Sequence, residues 1–552
     1  MKCLVILTLF AMAAGASGFG TATLMETSEE GSFRTDISPP ACLPVSMSVS
    51  DGPLADLLWH YTLTSGWQQR TCPMGNGAEY VFTGGWYGGG IMFEGATGDG
   101  SVLWQTEPDL GTSLYWKNLG TGVSAAWDAD RYYLVRSFDV WNDNGTPGDP
   151  NDDYMVSEAN LEVCLFSGSS STPLWVWDGT GTLMSTWVDE PGKYDCTPDG
   201  EFFAVGGYID GHLGIAVFVP DSAGPYLLFD DPAFDYSPRQ LRITDDGSSV
   251  IFSVGADLLR VDVATGTLED TYNLGASTDC FDISGDGSLV AYGFTAAKLA
   301  QWNGSQYDLA WSHPVSGYYA GAASISDDGQ AVYHGFYRNT YLSNRIYRFD
   351  PASSTPVWTY DTPAGSGGHQ DVVSWMDCTS DGSYLAVASW GCQTGGGDEV
   401  IVLDDDSPSQ PVYSINSPGS MWHVDISPDG AYVTASGKHV HANVMGSGTD
   451  TYMADITPEG LESGAQTSPL CLSLSPNPCP GTAAVGFSLP GSGAARLSVY
   501  DLSGRRVHQV VNEYLGQGEH TVQISTDLPA GLYVVTLSFG SERVAEKLLI
   551  SR

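Results

Sequence analysis

The stretch Ile426-Ser-Pro-Asp-Gly-Ala-Tyr-Val-Thr-Ala-Ser-Gly437 decides the fold, because similar copies of it begin at residues 196, 243, 283, 325 and 378. Each copy places an aspartate before a glycine, at positions 199, 246, 286, 328, 381 and 429. Ile or Cys stands three residues before each aspartate, and an apolar residue stands four residues after it. An Asp-Gly turn between two apolar runs is typical of a β-hairpin. Each copy is therefore predicted to be a strand, a turn and a second strand.

The intervals between these aspartates are 47, 40, 42, 53 and 48 residues, which is the length of one β-propeller blade. A second hairpin lies between successive copies, and its last strand carries an aromatic residue, as in 346–361 and 400–416. Two hairpins supply the four antiparallel strands of a blade. The sequence therefore predicts an all-β chain with a β-propeller over residues 57–455.

The number of blades follows from the outer aromatic strands. These lie near Trp59, Trp104, Trp175, Tyr226, Tyr272, Trp311, Trp358 and Tyr413. The last hairpin, at 421–437, has no such strand after it, whereas the strand at 57–63 precedes every hairpin. We expect the first strand to complete the last sheet and to close a ring of eight blades. A seven-bladed ring is the alternative, if residues 57–116 form an irregular cap.

Composition limits the possible partners. The chain has 552 residues, 65 Asp and Glu against 21 Lys and Arg, and a net charge of −44. Apolar residues make up 42% of it, enough to build a core and to exclude general disorder. Nucleic acid binding depends on Lys and Arg that displace counterions from phosphates. No nucleic acid partner is therefore expected.

The amino terminus has the pattern of a secretory signal peptide. Lys2 precedes an apolar run from residue 3 to residue 14, and Ala14-Gly15-Ala16 provides a cleavage site. A membrane anchor is the alternative, but the run is shorter than the ~20 residues that span a bilayer. We predict a signal peptide at 1–16, a polar linker at 17–56 and no transmembrane segment.

The carboxyl-terminal part differs from the repeats. Residues 456–470 are polar, with Pro and Gly, and are predicted to be a linker. Residues 471–552 alternate apolar and polar residues between glycine-containing turns. This pattern predicts an immunoglobulin-like β-sandwich of about seven strands.

Two family resemblances follow from these residues. The units at 101–108 and 258–273 resemble repeats of quinoprotein alcohol dehydrogenase-like propellers, and the Asp-Gly turns resemble those of YVTN-type and WD-repeat propellers. This resemblance implies the propeller fold. The adjacent cysteine pair that quinoprotein dehydrogenases place by their quinone does not occur in this sequence, so no redox activity is carried over.

The tail resembles the type A C-terminal sorting domain of the type IX secretion system. The residues that carry the resemblance are Pro476-Asn477-Pro478, 499–505, Gly531-Leu532-Tyr533 and 547–552. The resemblance implies export from a Gram-negative cell, with residues 471–552 bound by the secretion machinery of the outer membrane. Removal of the tail, with attachment to the cell surface or release, would follow. The alternative is an ordinary immunoglobulin-like module that packs beside the propeller.

Four aspartates form a second repeated feature. Asp195, Asp282, Asp377 and Asp425 each stand four residues before a turn aspartate and face away from the Ile or Cys position. A ring of carboxylates at a channel could hold a cation. We expect instead that each accepts hydrogen bonds from the neighbouring blade, because buried polar groups find local partners.

Other candidate sites are compositional. The insertion at 141–154 carries Asp143, Asp149, Asp152 and Asp153, which suggests a possible calcium loop. The EF-hand order is missing, and a solvated acidic loop is the alternative. His439 and His441 share a strand face, and His423 precedes them in the same repeat, which allows a zinc site. Cys196, Cys378 and His334 occupy apolar positions of the repeat and are expected to pack in the core.

Function is predicted from these features together. No Gly-x-Ser-x-Gly elbow, His-Glu-x-x-His motif or phosphate-binding loop occurs. We expect an exported module that binds or scaffolds an extracellular polymer or an envelope protein through its loops. The candidate contact loops are 141–155, 337–345 and 391–398. The alternative is a propeller enzyme, a hydrolase, lyase or quinoprotein-like oxidoreductase, that uses Asp and His side chains lining the channel.

Overall fold

The computed structural model describes residues 56–551 apart from short segments. The segments outside the described residues are 65–67, 87, 111–112, 147–150, 180–191, 210, 279, 339–342, 367–370, 393–395, 442–447, 458–470, 476, 478, 480–481, 490–492, 501–505, 516–517, 526–527 and 540–541. The predicted signal peptide and most of both predicted linkers thus lie outside it. Every regular element that it describes is a β-strand. A helix able to cross a membrane is not found in this part of the chain.

Ten strands cover residues 56–178. They are β1 (Asp56–Leu63), β2 (Gln68–Thr71), β3 (Met74–Gly75), β4 (Tyr80–Trp86), β5 (Gly90–Glu94), β6 (Val102–Thr106), β7 (Leu114–Ala125), β8 (Tyr132–Asn142), β9 (Tyr154–Phe166) and β10 (Trp175–Asp178). Strands β2 to β10 belong to one nine-stranded sheet with the order β10-β9-β8-β7-β4-β5-β6, in which β2 and β3 pair with β4.

The next twenty strands form five sheets, each made of four consecutive strands. They are β11 (Tyr194–Cys196), β12 (Phe203–Ile209), β13 (His212–Phe218), β14 (Leu227–Asp231), β15 (Gln240–Ile243), β16 (Ser249–Val254), β17 (Asp257–Asp262), β18 (Leu268–Asn273), β19 (Phe281–Ile283), β20 (Leu289–Gly293), β21 (Ala296–Trp302), β22 (Tyr307–Pro314), β23 (Tyr318–Ile325), β24 (Val332–Arg338), β25 (Asn344–Phe349), β26 (Pro356–Asp361), β27 (Val373–Cys378), β28 (Tyr384–Ser389), β29 (Val400–Asp404) and β30 (Tyr413–Ile415).

The first strand of the chain completes the last sheet of the repeat region. Strands β31 (Met421–Ile426), β32 (Tyr432–Lys438) and β33 (Thr449–Asp455) continue the pattern, and β1 pairs antiparallel with β33. The register joins Leu57 to Ala454 and Leu63 to Thr449. The predicted pairing of the first strand with the last hairpin is confirmed.

Apolar cores lie between successive sheets around the whole set. Phe203 of β12 packs against Leu165 of β9, and equivalent cores follow at each later boundary. The series ends where Trp59 of β1 and Met453 of β33 pack against Phe93 of β5. Because the last sheet packs on the first, the sheets form a closed ring. This arrangement is a β-propeller fold.

Six turns of the same structure join the first and second strands of the repeat units. In the turn of β31 and β32, Ser427 Oγ donates to Asp429 Oδ1 (2.7 Å), which also accepts from the N–H of Ala431 (3.1 Å). The glycine after each turn aspartate has a φ between 63° and 71°, a conformation that favours glycine. Neighbouring turns touch, since Gly285 N donates to Asp327 O (3.0 Å). The turns therefore share one end of the ring, which we name the turn face.

The nine-stranded sheet differs from the predicted series of separate four-stranded sheets. One residue pair, Trp86 with Gly120, joins β4 to β7. Two glycines of β4 allow this close approach. A Cβ on Gly85 would lie 1.9 Å from Gln68 O, and one on Gly84 would lie 2.7 Å from Thr121 O. The backbones of β2 and β7 therefore contact β4 where a side chain would separate them.

The tail contains seven described strands. They are β34 (Cys471–Ser475), β35 (Thr482–Leu489), β36 (Gly493–Tyr500), β37 (Arg506–Leu515), β38 (Gly518–Ser525), β39 (Gly531–Phe539) and β40 (Glu542–Ile550). They form a sheet with the order β34-β35-β38 and a second sheet with the order β37-β36-β39-β40. Phe487 and Ile524 of the first sheet and Leu537 and Leu548 of the second share one buried core.

One arginine of the tail lies close to the turn face. Arg496 of β36 has Nη1 3.6 Å from Asp199 Oδ2 and Nη2 4.0 Å from Asp128 Oδ2. Asp128 N in turn donates to Pro198 O (2.8 Å), so both carboxylates belong to adjoining turns. The tail thus contacts the ring at two neighbouring turns.

Candidate functional site

The four repeated aspartates connect neighbouring sheets near the axis of the ring. Each one accepts a backbone N–H from an inner strand of the next sheet. The four bonds are Ile243 N to Asp195 (3.0 Å), Ile325 N to Asp282 (3.1 Å), Ile426 N to Asp377 (2.8 Å) and Met74 N to Asp425 (2.7 Å). The expected hydrogen bonding to the neighbouring blade is confirmed. These side chains hold the inner strands together.

An arginine stands at the same repeat position in β15. Arg242 Nε donates to Asp282 Oδ1 (2.7 Å), and both side chains are largely buried. The Arg242 guanidinium also faces the ring of Trp375, a residue of β27, with Cζ 5.2 Å from the centroid. Since β15 and β27 belong to sheets that are not neighbours, this contact crosses the axis of the ring.

Burial changes the titration of these carboxyl groups. It raises the pKa of Asp195 to about 6 and that of Asp425 to about 7. Burial, followed by repulsion from Asp425, raises the pKa of Asp377 well above its usual value. The Asp377 and Asp425 carboxyl groups therefore retain protons more strongly than exposed aspartates. Both also keep their structural bonds to backbone N–H groups.

A cysteine and a histidine meet beside this pair. Cys72 Sγ lies 3.5 Å from His423 Nδ1. Burial raises the pKa of the Cys72 thiol to about 12 and lowers that of His423 to about 3. A thiolate nucleophile needs the opposite shifts, a low thiol pKa beside a protonated imidazole. The pair therefore behaves as a packed thiol and a neutral ring, and His423 stacks on Trp375 with centroids 5.1 Å apart.

The predicted core residues of the repeat are found in apolar surroundings. His334 is completely buried beside Trp311 and Phe349, and burial lowers its pKa to about 3. Cys196 and Cys378 pack against apolar cores, and burial raises the pKa of each thiol. Their expected packing role is confirmed.

The predicted calcium loop is described in part, because Asp149 lies outside the described residues. Asp143 accepts the N–H of Gly145 (2.9 Å), and Asp152 accepts the hydroxyl of Thr146 (2.7 Å). Asp153 accepts the Tyr115 hydroxyl. Within the described part of the loop, no three ligand-type side chains converge. Calcium binding here stays a prediction.

The predicted histidine group is spread over three environments. His439 Nδ1 bonds the buried Asp450 (2.7 Å), and His441 Nδ1 lies 3.1 Å from Trp390 O, while His423 is in the core. Asp450 also bonds His60 Nε2 (2.8 Å) from β1. None of the described residues forms a three-ligand metal group. His60 and His439 instead connect their strands to Asp450 of β33, whereas His441 and His423 contact neighbouring sheets.

A second end of the ring carries irregular features. The loops 141–155, 337–345 and 391–398 each join a second strand to a third strand, which places all three at the end opposite the turn face. We name this end the loop face. Residues 147–150, 339–342 and 393–395 of these loops lie outside the described residues. The candidate contact loops therefore share one end of the ring.

Two buried carboxyl groups hold the base of the loop at 391–398. Asp371 accepts the N–H of Gly391 (3.0 Å), and Glu399 accepts the N–H of Ser417 (2.7 Å). Burial raises the pKa of Glu399 to about 8 and also raises that of Asp371. Hydrogen bonds to buried carboxyl groups therefore hold both ends of this loop, at Gly391 and at Glu399.

Aromatic and basic side chains meet on the loop face. The Arg70 guanidinium lies between two indole rings, 4.7 Å from the centroid of Trp86 and 4.8 Å from that of Trp422. Trp390 meets Trp422 edge to face, with centroids 5.1 Å apart. We name these four residues the indole patch. Its members are half-buried and come from three successive sheets of the closed ring.

Sequence reasoning did not find the indole patch. Arg70 and Trp86 are more than 300 residues from Trp390 and Trp422 in the chain, and no repeat relates them. Ring closure brings them together. The available signal was only that Trp390 and Trp422 stand at the ends of their hairpins that are distant from the Asp-Gly turns.

Two motifs of the tail are joined by hydrogen bonds. Asn477 donates to Lys547 O and accepts the N–H of Leu549 (2.9 Å). The Tyr533 hydroxyl donates to Pro529 O (2.9 Å) and fixes the start of β39. Residues 476, 478 and 501–505 of the motifs lie outside the described residues. The asparagine thus ties the first motif to the last strand.

Comparisons with known proteins give one family match, and it lies in the tail. Residues 473–551 match the model of the secretion system C-terminal sorting domain. Among solved structures, the chain is similar to the β-propeller domain of Myceliophteria thermophila Cps50 (Swd1), with 13% identity and a TM-score of 0.41 over 62% of this chain and 99% of that chain. No curated protein matches.

These comparisons do not confirm the quinoprotein or YVTN type of the propeller. The family match covers the tail alone, and it is specific for export. The chain carries the sorting domain of type IX secretion at residues 473–551 and is a secreted protein that ends at the cell surface or outside the cell.

Proposed function

We propose that the chain is an eight-bladed β-propeller that binds an extracellular polymer or an envelope protein through its loop face. Division of the nine-stranded sheet at its single Trp86–Gly120 link gives two blades, and the remaining six sheets supply one each. The proposed domains are the signal peptide 1–16, a linker 17–56, the propeller 57–455, a linker 456–470 and an immunoglobulin-like sorting sandwich 471–552. The sandwich is bound by the secretion machinery and takes no part in recognition.

The observation that carries this proposal is the grouping of aromatic and basic side chains on the loop face of a very acidic chain. Besides the indole patch, Lys117 places Nζ 3.7 Å from the ring centroid of Trp141. Arg338 and Arg345 both lie over the ring of Tyr318, at 5.2 and 5.1 Å. Tryptophan, tyrosine and arginine are the side chains that contribute most to binding interfaces.

A comparison of two variants that each remove one positive charge, one on each face, tests this function. The full chain would be immobilised and exposed to purified surface polymers and envelope proteins, in parallel with Lys117→Ala on the loop face and Arg131→Ala on the turn face. We expect binding to weaken about tenfold in the first variant and to persist in the second. Equal effects of both variants, or no effect of either, would contradict the proposal.

The delivery role is tested separately. Deletion of residues 471–552 should abolish surface display while the propeller accumulates inside the cell envelope, as detected by antibody labelling of intact cells. Unchanged display would contradict the assigned role of the sandwich.

A further inference from the structure

We propose that the indole patch is a binding site for an uncharged polysaccharide. This inference rests on the proposed binding function and names its ligand class. It concerns Arg70, Trp86, Trp390 and Trp422, which the sequence motifs do not mark.

The tryptophans of the patch differ from those that build the blades. The indole N–H groups of Trp59, Trp104 and Trp311 donate to backbone carbonyls, at 3.3, 2.9 and 2.9 Å. In the described part of the chain, the N–H groups of Trp390 and Trp422 have no acceptor. Structural indoles are normally satisfied when buried. The indoles of Trp390 and Trp422 therefore do not connect blades through N–H hydrogen bonds, as those of Trp59, Trp104 and Trp311 do.

The backbone holds the patch in position before any ligand arrives. Trp390 N donates to Val372 O (2.9 Å), and its carbonyl accepts the hydroxyl of Ser420 (2.7 Å). Trp86 is fixed by its strand pairings with Gln68 and Gly120. Binding to such a site orders few side chains, which lowers the entropic cost of association.

The chemistry of the patch fits a ligand with apolar faces and a polar rim. An indole ring offers an apolar face, and a guanidinium offers several donors in one plane. A pyranose ring presents C–H groups on its faces and hydroxyl oxygens at its edge. The half-buried rings of Trp86, Trp422 and Trp390 can therefore contact the sugars of a chain with the surface that Arg70 leaves uncovered, while Arg70 donates to hydroxyl groups.

Charge selects an uncharged chain over an acidic one. The protein carries a net charge of −44, so its field repels a long polyanion. A neutral polysaccharide experiences no such repulsion and uses the stacking faces fully. An acidic peptide or polyuronate would be repelled by the net negative charge of the protein.

The experiment measures binding of the full chain to purified neutral polysaccharides, namely a β-glucan, an α-glucan and a mannan, with a polyuronate for comparison. Trp422→Ala and Trp390→Ala should each weaken binding to the recognised polysaccharide at least about tenfold. Trp302→Ala is the matched control, because Arg260 lies 4.7 Å from that ring, as Arg70 lies from Trp86, but at the other end of the ring of blades. Circular dichroism and thermal unfolding verify that each variant folds.

Binding of a neutral polysaccharide that is lost in both patch variants and kept in Trp302→Ala supports the inference. Three results would overturn it: no polysaccharide binds, the polyuronate binds as well as the neutral chains, or Trp422→Ala and Trp390→Ala bind like the original chain. If a purified envelope protein binds and Trp422→Ala weakens it while polysaccharides do not bind, the ligand class is wrong and the proposed function stands.

Discussion

The turn face and the loop face of the ring are built in opposite ways. On the turn face, six Asp-Gly turns repeat one hydrogen-bond pattern, and four inner aspartates bond the next sheet. On the loop face, the loops differ in length, and the indole N–H groups of Trp390 and Trp422 lack hydrogen-bond acceptors among the described residues. The residues that repeat from blade to blade therefore have a structural role. The loops and side chains that differ from blade to blade form the surface that we assign to binding.

The largest expected effect is on the inner ring. Asp282→Ala leaves the largely buried Arg242 without its carboxylate and should lower the free energy of unfolding by about 3–5 kcal/mol. The midpoint of urea unfolding measures this loss. Asp308→Ala, an exposed carboxylate in the same sheet, is the control and should change little. Equal midpoints for the two variants would contradict the structural role of the inner ring.

The pH dependence of stability is a second test of the structural role of the inner aspartates. Burial raises the pKa of Asp425 in the folded protein to about 7, above the usual aspartate value of 3.8. Its contribution is therefore fully present below pH 3.8 and is lost as pH rises to the folded pKa, and about 2 kcal/mol of that loss falls between pH 5.5 and 7. Between pH 5.5 and 8 the melting temperature should fall less in Asp425→Asn than in the original chain, because the amide cannot ionise but still accepts Met74 N.

The control for that measurement is Asp308→Asn, which should keep the original slope of melting temperature against pH. An unchanged slope in Asp425→Asn would show that this carboxyl does not titrate with folding.

A smaller effect is expected within one turn. Ser427 Oγ accepts the N–H groups of Ala431 and Tyr432 and donates to Asp429. Ser427→Ala should cost about 1 kcal/mol, because these groups lose a partner. Thermal unfolding measures it, with the exposed Ser312→Ala of β22 as control. A loss confined to Ser312→Ala would contradict the importance of the turn pattern.

The smallest effect concerns the contact between tail and ring. Residues 471–552 contain six Lys and Arg and six Asp and Glu, so the remaining 15 basic and 59 acidic residues carry the whole net charge of −44. Arg496 faces Asp128 and Asp199 across this boundary. Partly exposed pairs of this kind contribute at most about 1 kcal/mol and are screened by salt.

Arg496→Ala should therefore increase proteolysis of the 456–470 linker modestly at low salt and have no effect at high salt. Arg506→Ala, an exposed residue of β37 in the same tail, is the comparison. A large effect of Arg496→Ala that persists at high salt would show a tighter contact than the structure indicates.

Much of the ring could be predicted from the sequence because its rules are local. An aspartate, a glycine and flanking apolar residues define each hairpin, and the four-residue offset placed Asp195, Asp282, Asp377 and Asp425 on one side of their strands. The Ser or Thr two residues before each turn aspartate was visible in the same repeats but its capping role was overlooked.

The remaining features depend on tertiary contacts that no local pattern reports. The fusion of β4 with β7 rests on the close approach permitted by Gly84 and Gly85. The indole patch needs ring closure to bring Arg70 to Trp422. Arg242, at the repeat position of an aspartate, could have been noticed as the exception, but its contact with Trp375 across the axis could not.

Hydrogen exchange of the first strand tests the central claim most directly. If the ring is closed, the amides of Asp56–Leu63 that pair with β33 should exchange as slowly as those of Thr449–Asp455, measured by mass spectrometry of the corresponding peptides. Complete exchange of the 56–63 peptide within seconds, while the 449–455 peptide stays protected, would contradict a ring closed by its first and last segments.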